Sequence, residues 1–345
     1  MSVINGIMFH GVGASSASLC YTPQKKVVRW SWQTYWLAQA FVCWFALPFI
    51  GAYLTIPHLG EVLSKAPAEA MWKSFILGAF YGIGATAFGL SIRYIGFSLT
   101  YAISIGISCV LGTLLPPLLR SELFSILSQE GSGFIILGMV LGVAGIAFCG
   151  IAGRFKEIDL VNKAGSKDEN FNLSKGLTLA IAAGILSALY GLSLDQGQPI
   201  ADVAEAYGAG QFQGNVIYIF SNTGAFLFTA IYCLYLHQKE GTFGEYRETT
   251  GGKKYLSLNY ALSALTGLMW YSQFFFYGLG HTRMGDYAFT SWAIHMIMLV
   301  LFSALAGLAL KEWVGSSKKT VTALVAAIFV LVAAVIVLTI GNSMG

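Results

Sequence analysis

A tryptophan, a glutamine, a tyrosine and a histidine recur at i, i+3, i+7 and i+11 in Trp270, Gln273, Tyr277 and His281, so a helix there places all four on one face. Such a stripe pairs hydrogen-bonding groups with flat aromatic surface. Sugar hydroxyls take the first, and the apolar faces of a pyranose ring take the second. The same four residues also suit a helix-packing face with an aromatic belt and one interhelical glutamine bond. Ser291, Trp292 and His295 follow. In a helix starting near residue 287, His295 lies about 13 Å from the end, close to the middle of a bilayer. A histidine at that depth can donate, accept or carry a proton near neutral pH, or pack as a neutral ring. His10 is embedded in the same way in the first apolar run.

Other polar side chains fall inside apolar runs, where they are costly and by default mark a site or a pathway. Tyr101, Ser104 and Ser108 share one helical face, and Ser221, Asn222 and Thr223 lie near the centre of another run. Small hydroxyls also permit close helix packing or bond the preceding turn, whereas the Asn222 amide is harder to hide. Asp195 ends one run and Asp286 begins another. Either is a candidate proton carrier, and either also serves as the ordinary acid at a helix end. Arg93, Lys311 and Glu312 stand at run ends, where snorkelling or gate ion pairs account for them equally well.

Known catalytic patterns are missing: there is no GxSxG, no HExxH and no GxxxxGK[ST]. The five cysteines form no CxxC pair and no metal-ligand spacing, so neither disulfides nor a bound metal is expected. No cofactor is implied. The net charge of +4 is dispersed and leaves no nucleic-acid footprint. A monomer or weak homodimer is the expected state.

The elements that must position these groups follow from composition. Of 345 residues, 56% are hydrophobic and 10% charged, against about 25% charged in an average soluble domain. The solvent for most of the chain must be lipid. A spanning helix needs about 20 mostly apolar residues, and such runs occupy 3–22, 33–56, 70–92, 95–119, 132–153, 175–194, 212–236, 255–280, 287–310 and 320–342. We number these spans 1 to 10. The loops after odd-numbered spans hold 16 of the 20 Lys and Arg residues; the positive-inside rule makes those loops cytoplasmic and puts both termini outside.

An internal echo links the ends of spans 3 and 8: Phe88-Gly-Leu-Ser-Ile-Arg-Tyr-Ile-Gly96 resembles Tyr277-Gly-Leu-Gly-His-Thr-Arg-Met-Gly285. Two halves of five spans each must run in opposite senses, the inverted repeat of many secondary transporters. The expected fold is an all-α membrane protein of ten transmembrane helices in two inverted five-helix repeats, 1–153 and 175–345, joined by a cytoplasmic linker at 154–174.

Several segments resemble a known family. Tyr21-Thr-Pro-Gln-Lys-Lys-Val-Val-Arg-Trp-Ser-Trp32, the span 3 segment above, Gly267-Leu-Met-Trp-Tyr-Ser-Gln-Phe-Phe-Phe-Tyr277, Ser291-Trp-Ala-Ile-His-Met296 and Lys311-Glu-Trp313 are similar to the bacterial L-rhamnose-proton symporter family of the drug/metabolite transporter superfamily. The resemblance runs from about residue 5 to 342. It implies a cavity lined by spans 3, 4, 8 and 9 with spans 1 and 6, and uptake of a 6-deoxyhexose with a proton. One departure stands out. The family pattern has an acid after the tyrosine that precedes Ser-Trp, and here Tyr287 is followed by Ala288. Ala85 and Ala87 likewise replace a polar stretch of span 3.

The expected function is import of L-rhamnose or a close 6-deoxy sugar with a proton, by alternating access across a bacterial inner membrane. Trp270, Tyr271, Gln273, Trp292 and His295 would hold the sugar, joined by His10, Asn222, Tyr101 and Ser104. With Ala288 unable to titrate, His295, His10, Asp286 and Asp195 remain as proton carriers. The alternatives are a proton-independent facilitator or exporter of another small metabolite, and a polytopic enzyme acting on a lipid-linked sugar.

Overall fold

The computed structural model describes residues 3–95, 97–164, 172–247 and 253–344; of these, the side chains of 93, 97, 98, 160–164, 253, 254, 286 and 287 lie outside the described residues. In hydrocarbon every backbone N–H and C=O must be satisfied within the chain, and the described residues answer with 87% helix and no strand. Nine of their helical stretches are long and apolar enough to cross a membrane.

In chain order the helices are α1 (Val3–Leu19), α2 (Trp32–Ala40), α3 (Leu47–Thr55), α4 (Leu59–Lys65), α5 (Ala68–Ile95), α6 (Phe97–Leu119), α7 (Leu123–Leu127), α8 (Ser132–Ala164), α9 (Leu173–Gln196), α10 (Gln198–Ala206), α11 (Ile217–Glu240), α12 (Lys253–His281), α13 (Ser291–Ala309) and α14 (Lys318–Asn342). A π-helical stretch, Phe41–Ala46, joins α2 to α3 in one rod. It ends two residues before Pro48, which cannot donate to the carbonyl four residues back, and a widened turn is one way a helix absorbs that loss. Short 3-10 stretches lead into α11 (Gly210–Val216) and α13 (Gly285–Thr290).

The described helices match the apolar runs to within a few residues, with one long exception. The apolar run of span 5 ends at 153, yet α8 continues to Ala164. Polar contacts hold the extension helical: the Arg154 guanidinium lies 3.4 Å from Glu157, and Lys156 stands 4.5 Å over the Trp313 ring. The Asp159 carboxylate also accepts from Ser317 N and Thr320 Oγ1, each at 2.7 Å, at the start of α14.

The helices form two compact units, and neither is a sequence half. One comprises residues 1–18, 84–192 and 279–345; the other comprises 19–83 and 193–278. In the first, α14 lies along α8. A Cβ on Gly138 would stand 2.6 Å from the Leu338 side chain, and one on Gly145 would stand 2.7 Å from that of Leu331. Large apolar side chains on the other faces of these helices, among them Val140, Phe329 and Ile336, are exposed and meet lipid.

In the second unit α5 and α11 approach backbone to backbone. A Cβ on Gly78 would lie 1.9 Å from the Ser221 carbonyl oxygen, and one on Gly224 would lie 2.0 Å from that of Phe75. Only glycine admits this approach, which membrane helices use where the hydrophobic effect gives them no reason to associate.

The rod α2–α3 runs parallel to α12. Val28 pairs with Asn259, the Tyr35 hydroxyl donates to Thr266 at 2.5 Å, Trp44 meets Trp270, and Gly51 lies against Tyr271. At the start of the rod one Glu245 carboxylate oxygen accepts from Ser31 N at 2.7 Å, Ser31 Oγ at 2.9 Å and Thr34 Oγ1 at 2.5 Å. Beside it, burial pushes the Tyr246 phenol up. α4 and α10 are too short to span a membrane; they pack on each other through Val62, Ala66, Ile200 and Ala204.

Candidate functional site

The second unit holds an aromatic cluster centred on Trp270. Its ring is met edge-on by Tyr21 at 5.2 Å, Trp44 at 5.4 Å and Trp36 at 5.9 Å. Trp36 stacks on Trp32 at 5.0 Å, and Trp44 stands 5.8 Å from Tyr81. Edge-to-face contacts of this kind fix ring orientation as well as burying area. Helical geometry supplies the rest: Gln273 follows one turn after Trp270 on α12 and Tyr277 one turn further, and all three are buried.

Of the remaining expected residues in this unit, Tyr271 is buried with its hydroxyl against Gly51, and its ring stands 6.5 Å from Tyr218. The Tyr218 hydroxyl itself donates to the Phe274 carbonyl at 2.6 Å. Asn222 is fully buried on α11, next to Ser221, whose hydroxyl bonds back to Ile217 O. Asp195, at the end of α9, accepts from Gln196 Nε2 at 3.2 Å.

Sequence reasoning passed over Trp36, Gln39 and Trp44. They are 3%, 0% and 0% exposed and sit on the α12-facing side of the rod. A mid-span glutamine was the available signal.

The first unit holds His10, His281 and His295. His10 on α1 and His295 on α13 are buried with ring centroids 5.9 Å apart and ring planes at 70°. His10 lies near the middle of α1 and His295 in the second turn of α13, so most of the length of chain is closed to bring them together. Two imidazolium charges at 5.9 Å repel by about 3 kcal/mol at an effective dielectric of about 20, so the pair is suited to holding a single proton. A Cβ on Gly280 would lie 2.8 Å from His10 Nε2, so the bare backbone there makes room for the ring.

Trp292 is oriented by its own hydrogen bond: Nε1 donates to the Ser108 carbonyl at 3.0 Å. The ring also tilts against Tyr190 at 6.0 Å and lies close to Gly112. Its indole N–H is therefore engaged, and its ring face is what it can offer a ligand. The Ser104 hydroxyl donates to Ala180 O at 2.9 Å and ties α6 to α9, and Tyr101 packs edge-on to Phe88 at 5.1 Å.

His281, the last member of the α12 stripe, has Nδ1 within 3.0 Å of Ser291 Oγ and a backbone hydrogen bond with Ala288, so it braces the connection into α13. Arg283, one of the four Lys and Arg residues outside the loops after odd-numbered spans, is buried with its guanidinium 4.7 Å over the Phe9 ring, and it donates to the Leu279 carbonyl. The Asp286 side chain lies outside the described residues. The five cysteines are free, and the described residues include no group of three or more His, Cys, Asp or Glu arranged to hold a metal.

One unit thus presents neutral hydrogen-bonding groups among indole rings, and the other a pair of proton-binding rings. Comparison with known proteins shows the family. The family model described as L-rhamnose-proton symport protein (RhaT) matches residues 1–344. The chain is 34% identical over 342 residues to the L-rhamnose-proton symporter of Yersinia pestis (strain Pestoides F), covering 99% of this chain and 98% of that protein. It is equally similar, over the same shares, to the L-rhamnose-proton symporter of Escherichia coli (strain 55989 / EAEC). With the match running over almost every residue of both partners, this multi-pass membrane protein belongs to the L-rhamnose-proton symport protein family.

Proposed function

We propose that this protein imports L-rhamnose together with a proton across a bacterial inner membrane by alternating access. The observation that carries the reading is the whole-length family match. The family is one of transporters, and the enzyme alternative falls away with it. Trp270, Tyr271 and Gln273 hold the sugar, with Trp292, Asn222, Tyr101 and Ser104 as further contacts and the indole faces against its methyl group. His295 carries the proton, with His10 beside it; Asp195 and Asp286 are the acidic alternatives.

In this reading α12, span 8, joins the nine other crossing helices to make ten. Its 29 residues extend about 43 Å at about 1.5 Å each, and its polar stripe is what lowers its apolarity. The inverted five-span repeat is supported by where the two compact units divide: the cut at 18/19, near the end of span 1, has its counterpart at 192/193, near the end of span 6, and the cut at 83/84 in span 3 has its counterpart at 278/279 in span 8. The parallel course of the rod α2–α3 and α12 agrees with two even-numbered spans running in the same sense.

A second reading, proton-independent facilitation, is favoured by Ala288, which stands where the family pattern has an acid. Uptake of labelled L-rhamnose into proteoliposomes decides between them. Symport predicts accumulation under an inward proton gradient that a protonophore abolishes, and facilitation predicts equilibration that the protonophore leaves unchanged.

A further inference from the structure

Buried in the rod α2–α3, Trp36 Nε1, Gln39 Nε2 and Trp44 Nε1 have no hydrogen-bond partner among the described residues. Native interiors leave few donors in this condition, because a buried donor without an acceptor costs the full desolvation of the group. The Tyr271 hydroxyl on α12 is in the same condition.

All four belong to one neighbourhood. Both indoles stand edge-to-face with Trp270. The Gln39 carbonyl is 3.0 Å from where a Cβ on Gly267 would be, one turn before Trp270, and the Gln39 side-chain oxygen takes the Cys43 thiol at 3.6 Å, so its amide N–H groups are the part left over. The π-helical stretch Phe41–Ala46 turns Cys43 and Trp44 to the buried side, and π-turns inside α-helices recur at functional sites. Trp44 lies at the middle of the rod, the depth at which carriers bind substrate.

We infer that the π-helical middle of the second span is a hydroxyl-binding subsite for the transported sugar, with Gln39 and Trp44 as specificity-determining residues and Trp36 beside them. The inference rests on the reading that L-rhamnose is the substrate held by Trp270 and Gln273. Neutral donors set among indole rings match a ligand that carries lone pairs on one side and C–H edges on the other. They also give the sugar a binding site that needs no ionised group.

The test uses purified full-length protein, L-rhamnose titration calorimetry and thermal melting with and without sugar. Gln39→Met keeps the length of the side chain and removes the amide; Trp44→Phe keeps an aromatic ring and removes the N–H. Each should weaken L-rhamnose binding about three- to tenfold, the worth of one hydrogen bond. The sugar-free melting temperature of Gln39→Met should be little changed, since the deleted donor has no partner there and the Cys43 thiol that loses the side-chain oxygen also bonds Ala40 O at 3.8 Å. Mono-deoxy analogues of L-rhamnose add a readout that a packing role would not move: for the analogue lacking the hydroxyl that Gln39 holds, Gln39→Met should bind as well as wild type.

If both variants bind like wild type while Gln273→Ala weakens binding, the subsite is overturned and the parent reading stands. If wild type does not bind L-rhamnose, or Gln273→Ala binds as wild type does, the parent reading fails. Should Trp44→Phe not fold, Gln39→Met with the deoxy series decides alone.

Discussion

Replacing His295 by glutamine should abolish the pH dependence of L-rhamnose binding. In a symporter the bound proton and the bound sugar raise each other's affinity by the same factor, so affinity must rise as pH falls. The steepness follows from the structure. With His10 and His295 at 5.9 Å, a second proton costs about 3 kcal/mol more than the first, and the pair takes up one. Log affinity should therefore change by at most about one unit per pH unit.

The other groups nearby in that unit are engaged elsewhere. His281 is tied to Ser291 and Ala288, and the Arg283 guanidinium lies over Phe9. Calorimetric titration from about pH 5.5 to 8.5, the range in which histidine changes charge, should give that slope in wild type and a flat line in His295→Gln. His10→Gln should keep the slope at a displaced midpoint, because the surviving ring has lost its neighbour. A flat wild type would show an uncoupled protein. A slope that survives His295→Gln moves the carrier to another residue, and a slope approaching two refutes the single-proton pair.

Gly112→Ala places a methyl 2.4 Å from Trp292 Nε1, so it should displace the indole from the Ser108 carbonyl, cost about 1–3 kcal/mol as overpacking and lower both the melting temperature and L-rhamnose affinity. Glu245→Ala removes the acceptor of three hydrogen bonds at the start of α2; charge-assisted bonds of this kind are worth about 1.5–3 kcal/mol, and thermal melting should show the loss. Ala288→Glu restores a titratable group at the departure from the family pattern and should increase the protonophore-sensitive share of uptake in proteoliposomes; an unchanged share counts against a coupling role for that position.

Hydropathy reads the spans well because lipid is the solvent, and a helix that exposes Val140 or Phe329 to it needs no partner to explain its composition. The limits appear where polar contacts take over. No sustained apolar run marks the continuation of α8 past residue 153: besides the local Arg154–Glu157 pair, it is held by Lys156–Trp313 and by the Asp159 carboxylate on α14, contacts that join distant parts of the chain. Arg283 reads as a loop charge for the same reason: its Phe9 neighbour is almost a chain length away.

The candidate site divides along the same line. The α12 stripe is legible because Trp270, Gln273 and Tyr277 keep a regular helical period, and period is a local property. His10 and His295 can each be placed at mid-span, but their approach to 5.9 Å depends on α1 and α13 belonging to one compact unit that the sequence order does not announce. Trp36, Gln39 and Trp44 escape for a third reason. The π-helical stretch shifts the register between residues 41 and 46, so a 3.6-residue template misplaces Trp44 relative to Trp36 and Gln39, which precede it. Pro48 is the physical cause that sits in the sequence. In a membrane helix, a proline a few residues after an isolated mid-span glutamine and tryptophan therefore argues for testing a shifted register before assigning those side chains to packing.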